Sequence, residues 1–305
     1  MSITRRSFFG AGSAAAALAA LPKSRIAAQE TQPQVKPQAR PEAVLKLSSQ
    51  LISDLPGRDL DEKLANLEKW GFDGVELGGD AVGREKKYAD AIAKTKLAAS
   101  ALCGGACCAN GHLVSEVVAK RAPAMEKIKR VLDTCGELHL TGAIYVPAFN
   151  GQTKLRNKEI RKILVDTLPE LGEHAAKAGT RLIMEPLNRR EAFFLRQVAD
   201  AASIARDCHS PGIAVMGDLY HMYYEETSDL GAFISGGPYV HHVHMASAHK
   251  RVLPGQDERQ FVDAFRGLKW IGYHDFCSLE CGVQGDPRVE IPKSVAWLRD
   301  QWARA

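Results

Sequence analysis

One stretch of the sequence decides the fold: residues 157–187, NKEIRKILVDTLPELGEHAAKAGTRLIMEPL. From Asn157 to Ala178, apolar side chains recur at close to the spacing of a helical turn, which predicts an amphipathic helix. Gly179 then favours a helix end, because glycine adopts a positive φ at little cost. Arg181 to Leu187 is a short apolar run typical of a buried strand. A helix that leads directly into a buried strand is the repeating unit of a parallel α/β sheet.

The same alternation continues along the chain from Val44 and predicts eight strands with helices between them. The strands are expected at residues 44–51, 74–77, 98–103, 143–148, 181–187, 213–218, 240–246 and 275–281. Eight strands within residues 44–305 match a (β/α)8 TIM barrel, whose usual length is about 250 residues. The alternative is a doubly wound open sheet. It would need a Gly-rich phosphate turn after the first strand, where residues 52–57 read ISDLPG.

The N-terminal residues 1–28 contain four basic residues and no acidic one. Arg5 and Arg6 precede an uncharged run at residues 7–22, which is shorter than the roughly 20 residues of a membrane span. This arrangement resembles a twin-arginine signal peptide, with a cleavage site at the small residues 27 and 28. We therefore expect the Tat translocase as a partner during export, a periplasmic or otherwise exported protein, and no permanent membrane anchor.

The net positive charge of the chain comes from residues 1–28. The full sequence has 40 basic and 36 acidic residues, and without the leader's four basic residues the remainder is balanced at 36 of each. The balance gives no reason to expect a nucleic-acid partner. Residues 29–43 are polar and contain three prolines, which predicts a linker, and residues 44–305 are then the catalytic domain. The sequence leaves the oligomeric state open, a homo-oligomer included.

Strands five to eight each end near a residue that can bind a metal ion. These residues are Glu185, Asp218, His244 and Glu280. The carboxyl ends of the strands form the mouth of a TIM barrel, so the four side chains are expected to meet there. Three carboxylates in one place repel one another unless a cation lies among them. We therefore predict a divalent metal ion, Mn²⁺ in preference to Co²⁺, Mg²⁺ or Zn²⁺. Side chains alternate along a strand, so His242 shares the inner face with His244 and His241 points outward.

The order Glu, Asp, His, Glu on these strands resembles the xylose isomerase-like barrels, which include ketose 3-epimerases, hydroxypyruvate isomerase and endonuclease IV. Residues 185–191 match the E-x-x-N-R-x-E motif of the 3-epimerases, and Asp218 with His221 matches their D-x-x-H. An arginine before Pro-Gly follows strand seven in the family, as Arg251 does here. Arg251 lies one residue farther from His244 than the corresponding arginine of the 3-epimerases does. Lys250 occupies the position with the 3-epimerase spacing, so either Lys250 or Arg251 could contact the substrate.

The resemblance implies a metal-dependent isomerase or epimerase that acts on an unphosphorylated sugar or keto-sugar through an enediolate. Glu185 and Glu280 would bind the metal ion and also act as acid and base on opposite faces of the substrate. The candidate substrate-binding residues are His221, Arg251, Glu191 and His112, the last because it follows strand three. Arg189 and Glu191 are expected to act together at the rim around Glu185 or to form an ordinary surface ion pair. Glu76, near the end of strand two, is a weaker candidate.

Three other functions remain open. The same proton removal in a 3-keto-glycoside can expel the glycosidic oxygen, which would make the protein a lyase or hydratase. An endonuclease for abasic DNA would need more zinc ligands and a basic face, whereas residues 257–259 read DER where those enzymes carry Asp-x-His. The last alternative is a binding protein or inactive relative that has kept the metal site.

Overall fold

The computed structural model describes residues 42–50, 55–104 and 112–305. The predicted signal peptide and nearly all of the predicted linker lie outside these residues. The described residues form eight β-strands. The strands are β1 (Lys46–Ser49), β2 (Gly74–Gly78), β3 (Ala98–Cys103), β4 (Ala143–Tyr145), β5 (Leu182–Met184), β6 (Ile213–Asp218), β7 (Val240–Met245) and β8 (Phe276–Leu279).

Nine α-helices accompany these strands in the described part of the chain. They are α1 (Leu60–Lys69), α2 (Glu85–Ile92), α3 (Arg121–Glu137), α4 (Asn157–Ala178), α5 (Val198–Asp207), α6 (Leu219–Glu225), α7 (Asp229–Gly236), α8 (Val262–Trp270) and α9 (Pro287–Ala303). Helix α4 has the predicted bounds, and Gly179 ends it with a φ of 76°. None of the described helices is long and apolar enough to cross a membrane.

The strands form one parallel sheet in the order β1-β8-β7-β6-β5-β4-β3-β2. A parallel bridge between Gln50, just after β1, and Glu76, in the middle of β2, joins the first and last strands of this order. The sheet is therefore a nearly closed barrel with helices outside it. This confirms the predicted (β/α)8 TIM barrel and rules out the doubly wound open sheet.

Several strands are shorter than predicted at their carboxyl ends. Strand β5 ends at Met184, although the apolar run continues to Leu187. Pro186 has no backbone N–H to donate to a neighbouring strand, so the ladder cannot continue through it. Glu185 consequently lies just beyond β5, and Glu280 also lies just beyond the end of its strand, β8.

The barrel interior is apolar on one side and polar on the other. Strands β3 to β6 direct a small apolar cluster inward, consisting of Ala101, Ile144, Ile183, Ala214 and Met216. The opposite side carries buried polar residues: Ser48, Glu76, His242, His244 and Ser278. The residues that alternate with them, such as Leu47 and Val243, belong to the main core between strands and helices. The polar half of the interior leads directly to the mouth.

Candidate active site

The structure brings together the four side chains that the sequence predicts as metal ligands. Each of Glu185, Asp218, His244 and Glu280 offers a ligand atom, and these four atoms lie within 4.8 Å of one another. The first three residues are buried, and Glu280 is partly exposed at the mouth. The fifth to eighth strands thus contribute one ligand-type side chain each, as the alternation of the sequence indicates.

Backbone hydrogen bonds at the strand ends position the carboxylates. The N–H of Glu185 donates to the carbonyl of Tyr145 at 2.9 Å, which keeps Glu185 in line with β4 although β5 has ended. Asp218 closes β6 and also caps α6, where its Oδ1 accepts a hydrogen bond from the N–H of Tyr220 at 2.7 Å. This cap holds one carboxylate oxygen of Asp218 and leaves Oδ2 facing the cluster.

His244 lies between two sets of carboxylates. Its Nδ1 atom is 2.9 Å from Oε2 of Glu280 and 3.6 Å from Oε1 of Glu185. Its Nε2 atom is 3.0 Å from Oε2 of Glu76, on the other side of the ring. Although Nδ1 is fully buried, it makes no aligned hydrogen bond among the described residues. A buried imidazole nitrogen that faces carboxylates at these distances without an aligned hydrogen bond fits a divalent cation.

Arg251, rather than Lys250, reaches this cluster. Its Nη2 atom donates to Oδ2 of Asp218 at 3.0 Å and also to Oε2 of Glu280. The backbone at Arg251 has a φ of 51°, a conformation that non-glycine residues seldom adopt, and its guanidinium lies over the ring of Tyr220 at 4.8 Å. Lys250 is exposed. Of the two residues that the spacing left open as substrate contacts, Arg251 is therefore the one at the cluster, and its contact with a substrate stays a prediction.

The surroundings shift the pKa values of the two predicted acid and base residues, Glu185 and Glu280, in opposite directions. Burial and the nearby charge of Glu280 raise the pKa of Glu185. Burial also opposes ionisation of Glu280, but the adjacent His244 and Arg251 outweigh it and lower the pKa of that carboxyl to about 2. Two carboxyl groups in one cavity therefore have unequal surroundings: Arg251 bonds directly to Glu280 but not to Glu185 among the described contacts.

His221 presents a hydrogen-bond donor to the cluster. The ring is buried, and its Nδ1 atom lies 3.2 Å from the backbone N–H and 2.7 Å from the amide nitrogen of Asn188. Because both groups of Asn188 are donors, Nδ1 is the acceptor and the ring proton is assigned to Nε2. That atom lies 3.4 Å from Oδ2 of Asp218 and has no aligned partner among the described residues. The predicted substrate-binding residue thus offers an N–H toward the site.

The surface ion pair between Arg189 and Glu191, one of the two expected alternatives, is wrong. Arg189 instead forms a bidentate ion pair with Glu225 at 2.8 and 3.1 Å, and its backbone N–H donates to the same carboxylate. Glu191 accepts a hydrogen bond from the amide of Asn188 at 3.1 Å. The loop after β5 packs against α6, which places the buried Glu225 beside Arg189. Glu191 therefore supports Asn188 and, through it, His221.

His112 begins a short 3-10 helix at residues 112–114, and its carbonyl accepts a hydrogen bond from the N–H of Ser115. The residues just before it, 105–111, lie outside the described part of the chain. A role for His112 in substrate binding stays a prediction.

The main feature that the sequence did not identify is a hydrogen-bond network beneath the ligand cluster. Glu76 contacts His244 and also His242, whose Nε2 atom is 2.7 Å from Oε2 of Glu76. The H-x-H spacing on β7 correctly placed His242 on the inner face, and His241 points outward to Asp275 at 2.7 Å. The signal for Glu76 was present as an acidic residue in an otherwise apolar strand, but its partners lie more than 160 residues away.

Comparison with known proteins identifies the family. Residues 64–301 match the model of the xylose isomerase-like TIM barrel. The chain belongs to this family. A 3-dehydro-D-guloside 4-epimerase of Escherichia coli K12 is 30% identical over 266 residues, which cover 84% of this chain and 99% of that enzyme. A D-psicose 3-epimerase of Agrobacterium fabrum is 28% identical, over 70% of this chain and 74% of its own length.

Solved structures give the same result. The 3-keto-D-glucoside 4-epimerase of E. coli has a TM-score of 0.76 with 27% identity, and the match covers 84% of this chain and all of that one. An L-ribulose 3-epimerase has a TM-score of 0.74 at 22% identity, a likeness that concerns the fold alone. The family and the isomerase class predicted from the sequence are confirmed.

Proposed function

We propose that this chain is a metal-dependent epimerase of keto-sugars, with a 3-keto-glycoside as its preferred substrate. The observation that carries the proposal is the placement of Glu185 and Glu280. These carboxylates come from β5 and β8, which are not neighbours in the sheet, and both face the Nδ1 side of His244. Two carboxylates that approach one cavity from different strands can act on opposite faces of a sugar carbon.

The residues fit a divalent cation, for which we propose Mn²⁺. Glu185, Asp218, His244 and Glu280 would hold it, since three carboxylates and one buried imidazole nitrogen without an aligned hydrogen bond converge there. The bound ion would supply Lewis acidity at the substrate's carbonyl oxygen. Carboxylate-rich sites of this kind suit hard or borderline divalent ions better than Cu(I) or iron–sulfur clusters.

The side chains of the protein would then move and hold the protons. One carboxylate removes the hydrogen on the carbon next to the ketone, and the other returns a proton to the opposite face, which inverts that carbon. His221 would donate its Nε2–H to a substrate oxygen, because this buried N–H has no aligned partner within the described residues. Arg251, which already bonds to Asp218 and Glu280, would place a second donor near the developing negative charge.

The comparisons support a keto-glycoside over a free ketose. The match to the 4-epimerase of E. coli spans nearly the whole of that enzyme, whereas the match to the D-psicose 3-epimerase of A. fabrum spans about three quarters of it. Both groups of enzymes invert a carbon in a sugar, so the reaction type is common to them and the substrate is the point to be tested.

A substrate panel tests this proposal. Purified protein with Mn²⁺ is incubated with methyl 3-keto-glucoside and, separately, with D-psicose and L-ribulose, and the products are identified by NMR. We expect the 4-epimer of the keto-glycoside to form faster than either ketose is converted. Release of methanol without an epimer would instead make the protein a lyase, and faster conversion of a ketose would assign it to the 3-epimerases.

We further propose that residues 1–28 direct export through the Tat translocase and that the mature protein acts outside the cytoplasm. The proposal rests on Arg5 and Arg6 before the uncharged run at residues 7–22.

A further inference from the structure

Three fully buried side chains form a connected network below the ligand cluster. Glu76, His242 and His244 have no exposed surface. Oε2 of Glu76 lies 2.7 Å from Nε2 of His242 and 3.0 Å from Nε2 of His244. The amide of Gln50 donates to Oε1 of the same carboxylate at 2.8 Å. One carboxylate from β2 therefore bonds to two imidazoles from β7 across the barrel interior.

The chemistry of a carboxylate fixes the direction of these hydrogen bonds. An ionised carboxylate has lone pairs and no proton, so each imidazole must donate its Nε2–H to Glu76. In a neutral imidazole with the proton on Nε2, the lone pair is on Nδ1. For His244 this is the atom that lies 2.9 Å from Glu280 and 3.6 Å from Glu185. The bond to Glu76 thus orients the ring of His244 and determines which nitrogen faces the ligand cluster.

We infer that Glu76 is a positioning residue that fixes the Nε2–H form of His244 and so turns its Nδ1 lone pair toward the metal site. This inference rests on the metal site of the proposed function. A carboxylate behind a ligating histidine restrains the ring and raises its basicity, and loss of such a partner typically weakens metal binding by about 10- to 100-fold. Glu76 would act on the reaction only through His244.

The network is better explained by hydrogen bonds than by a second metal ion. The three side chains could form a ligand set of their own. However, the 2.7 Å contact between Glu76 and His242 is the length of a charge-assisted hydrogen bond, and Gln50 already donates to the other carboxylate oxygen. If Nε2 of His244 bound a second ion, it could not donate to Glu76. Metal stoichiometry separates the two explanations.

The variant Glu76→Gln tests the inference, with Ser48→Ala as the matched control. A glutamine keeps the shape of Glu76 but offers one acceptor oxygen in place of two. Ser48 is also fully buried in the barrel, and its hydroxyl has no hydrogen-bond partner among the described residues. Affinity and stoichiometry for Mn²⁺ are measured by calorimetry, and melting temperatures confirm folding. We expect Glu76→Gln to bind one ion with roughly 10- to 100-fold lower affinity, and Ser48→Ala to bind as the wild type does.

A second measurement needs no variant. Proton–nitrogen NMR of the wild-type protein, both free of metal and loaded with diamagnetic Zn²⁺, reports which nitrogen of His244 carries a proton. We expect a slowly exchanging Nε2–H in both forms, and we expect Glu76→Gln to accelerate its exchange. An unprotonated Nε2 in the wild type would overturn the inference. So would wild-type Mn²⁺ affinity in a folded Glu76→Gln, or two ions per wild-type chain and one in the variant.

These results also separate the inference from the proposed function. If the wild-type protein bound no metal ion but His244 still donated its Nε2–H to Glu76, the metal-dependent function would fail, and the positioning of the ring by Glu76 would stand. If the wild type bound one ion and epimerised sugars while Glu76→Gln bound the ion equally well, only the inference would fail.

Discussion

Asn188 and His221 fix the hydrogen-bonding direction of the second imidazole at the site. The amide nitrogen of Asn188 lies 2.7 Å from Nδ1 of His221, and its backbone N–H lies 3.2 Å from the same atom. His221 therefore directs an N–H toward Asp218, whereas the Nδ1 side of His244 faces the carboxylates of Glu280 and Glu185. In the proposed function the two histidines have different tasks: His221 donates a hydrogen bond to the substrate, and His244 binds the metal ion through Nδ1.

Loss of the Asn188 side chain should weaken turnover through His221. In Asn188→Ala the ring of His221 keeps only the weaker backbone donor, so its Nε2–H is less firmly directed at the substrate. We expect about a 10-fold fall in kcat/KM, which corresponds to about 1.4 kcal/mol. Asn150→Ala is the control, because Asn150 is an exposed asparagine whose side chain donates to the carbonyls of Arg189 and Arg190 and not to His221, and because its backbone hydrogen bond to Glu191 is kept in the variant. Equal kinetics in the two variants would contradict this role.

Removal of the metal ion should both stop turnover and destabilise the fold. An ion that binds only the folded state stabilises it by about 2.7 kcal/mol when its concentration is 100 times its dissociation constant. We expect EDTA to lower the melting temperature and Mn²⁺ to restore it together with activity. Asp218→Asn should need a higher Mn²⁺ concentration for both responses, because it lacks one proposed ligand. A melting temperature that is indifferent to EDTA and Mn²⁺ would argue against the metal site.

Much of this site could be read from local sequence patterns. Each of Glu185, Asp218 and Glu280 stands at the end of a recognisable strand, and parallel strands bring their carboxyl ends to one mouth. Their convergence therefore followed from topology alone. The strand bounds were predicted less well, because the apolar run at residues 181–187 continues past the point where Pro186 ends the ladder.

Local sequence patterns could not predict which side chains pair with one another. Arg189 has an acidic residue, Glu191, close by in the sequence, but it pairs with Glu225 from the helix that packs beside it. Glu76 bonds to His242 across the barrel. This contact requires both side chains to point into the barrel at the same level along its axis. Sequence periodicity gives the face of a strand on which a residue lies, whereas its partner depends on packing between distant elements.

The stability of the fold should depend on pH through Glu85, which lies outside the site. This buried carboxylate accepts hydrogen bonds from Arg130 and Thr134, each at 2.6 Å, and from the N–H of Gly83 at 3.0 Å. Burial raises its pKa, but these bonds outweigh burial and lower the pKa to about 2. The folded pKa is below the unfolded value of about 4.3, so the stabilisation is present above that value and is lost as the pH falls toward 2.

Urea unfolding of Glu85→Gln checks this expectation. At pH 7 we expect the variant to be less stable than the wild type by about 1.5–3 kcal/mol, the usual contribution of a hydrogen bond to a charged group. The difference should shrink between pH 5 and pH 2, since the wild-type carboxylate becomes protonated there. Glu126→Gln, on the same helix α3 as Arg130 but with an exposed side chain, should change stability little. A difference that is constant over this pH range would refute the assignment.

Export should depend on the two adjacent arginines. With Arg5→Lys and Arg6→Lys combined, the net charge of the leader is unchanged but the twin-arginine pair is lost. We expect the precursor to stay full-length in the cytoplasm, as seen by fractionation and immunoblotting. The control replaces Lys23 with Arg and Arg25 with Lys, which preserves both the charge and the pair. Normal processing of the first variant would mean that residues 1–28 are not a Tat signal.

The most direct test of the central claim is hydrogen exchange by the single variants Glu185→Gln and Glu280→Gln in D₂O, at a Mn²⁺ concentration that saturates each variant, since both residues are also proposed ligands. If each carboxylate serves one face of the reacting carbon, a variant that lacks one of them can still remove and return a proton on the other face. Starting from the two epimers separately, we predict that each variant incorporates deuterium into one epimer only, the opposite one in each variant, and that neither variant interconverts them. Epimerisation by either variant at the wild-type rate would contradict the account.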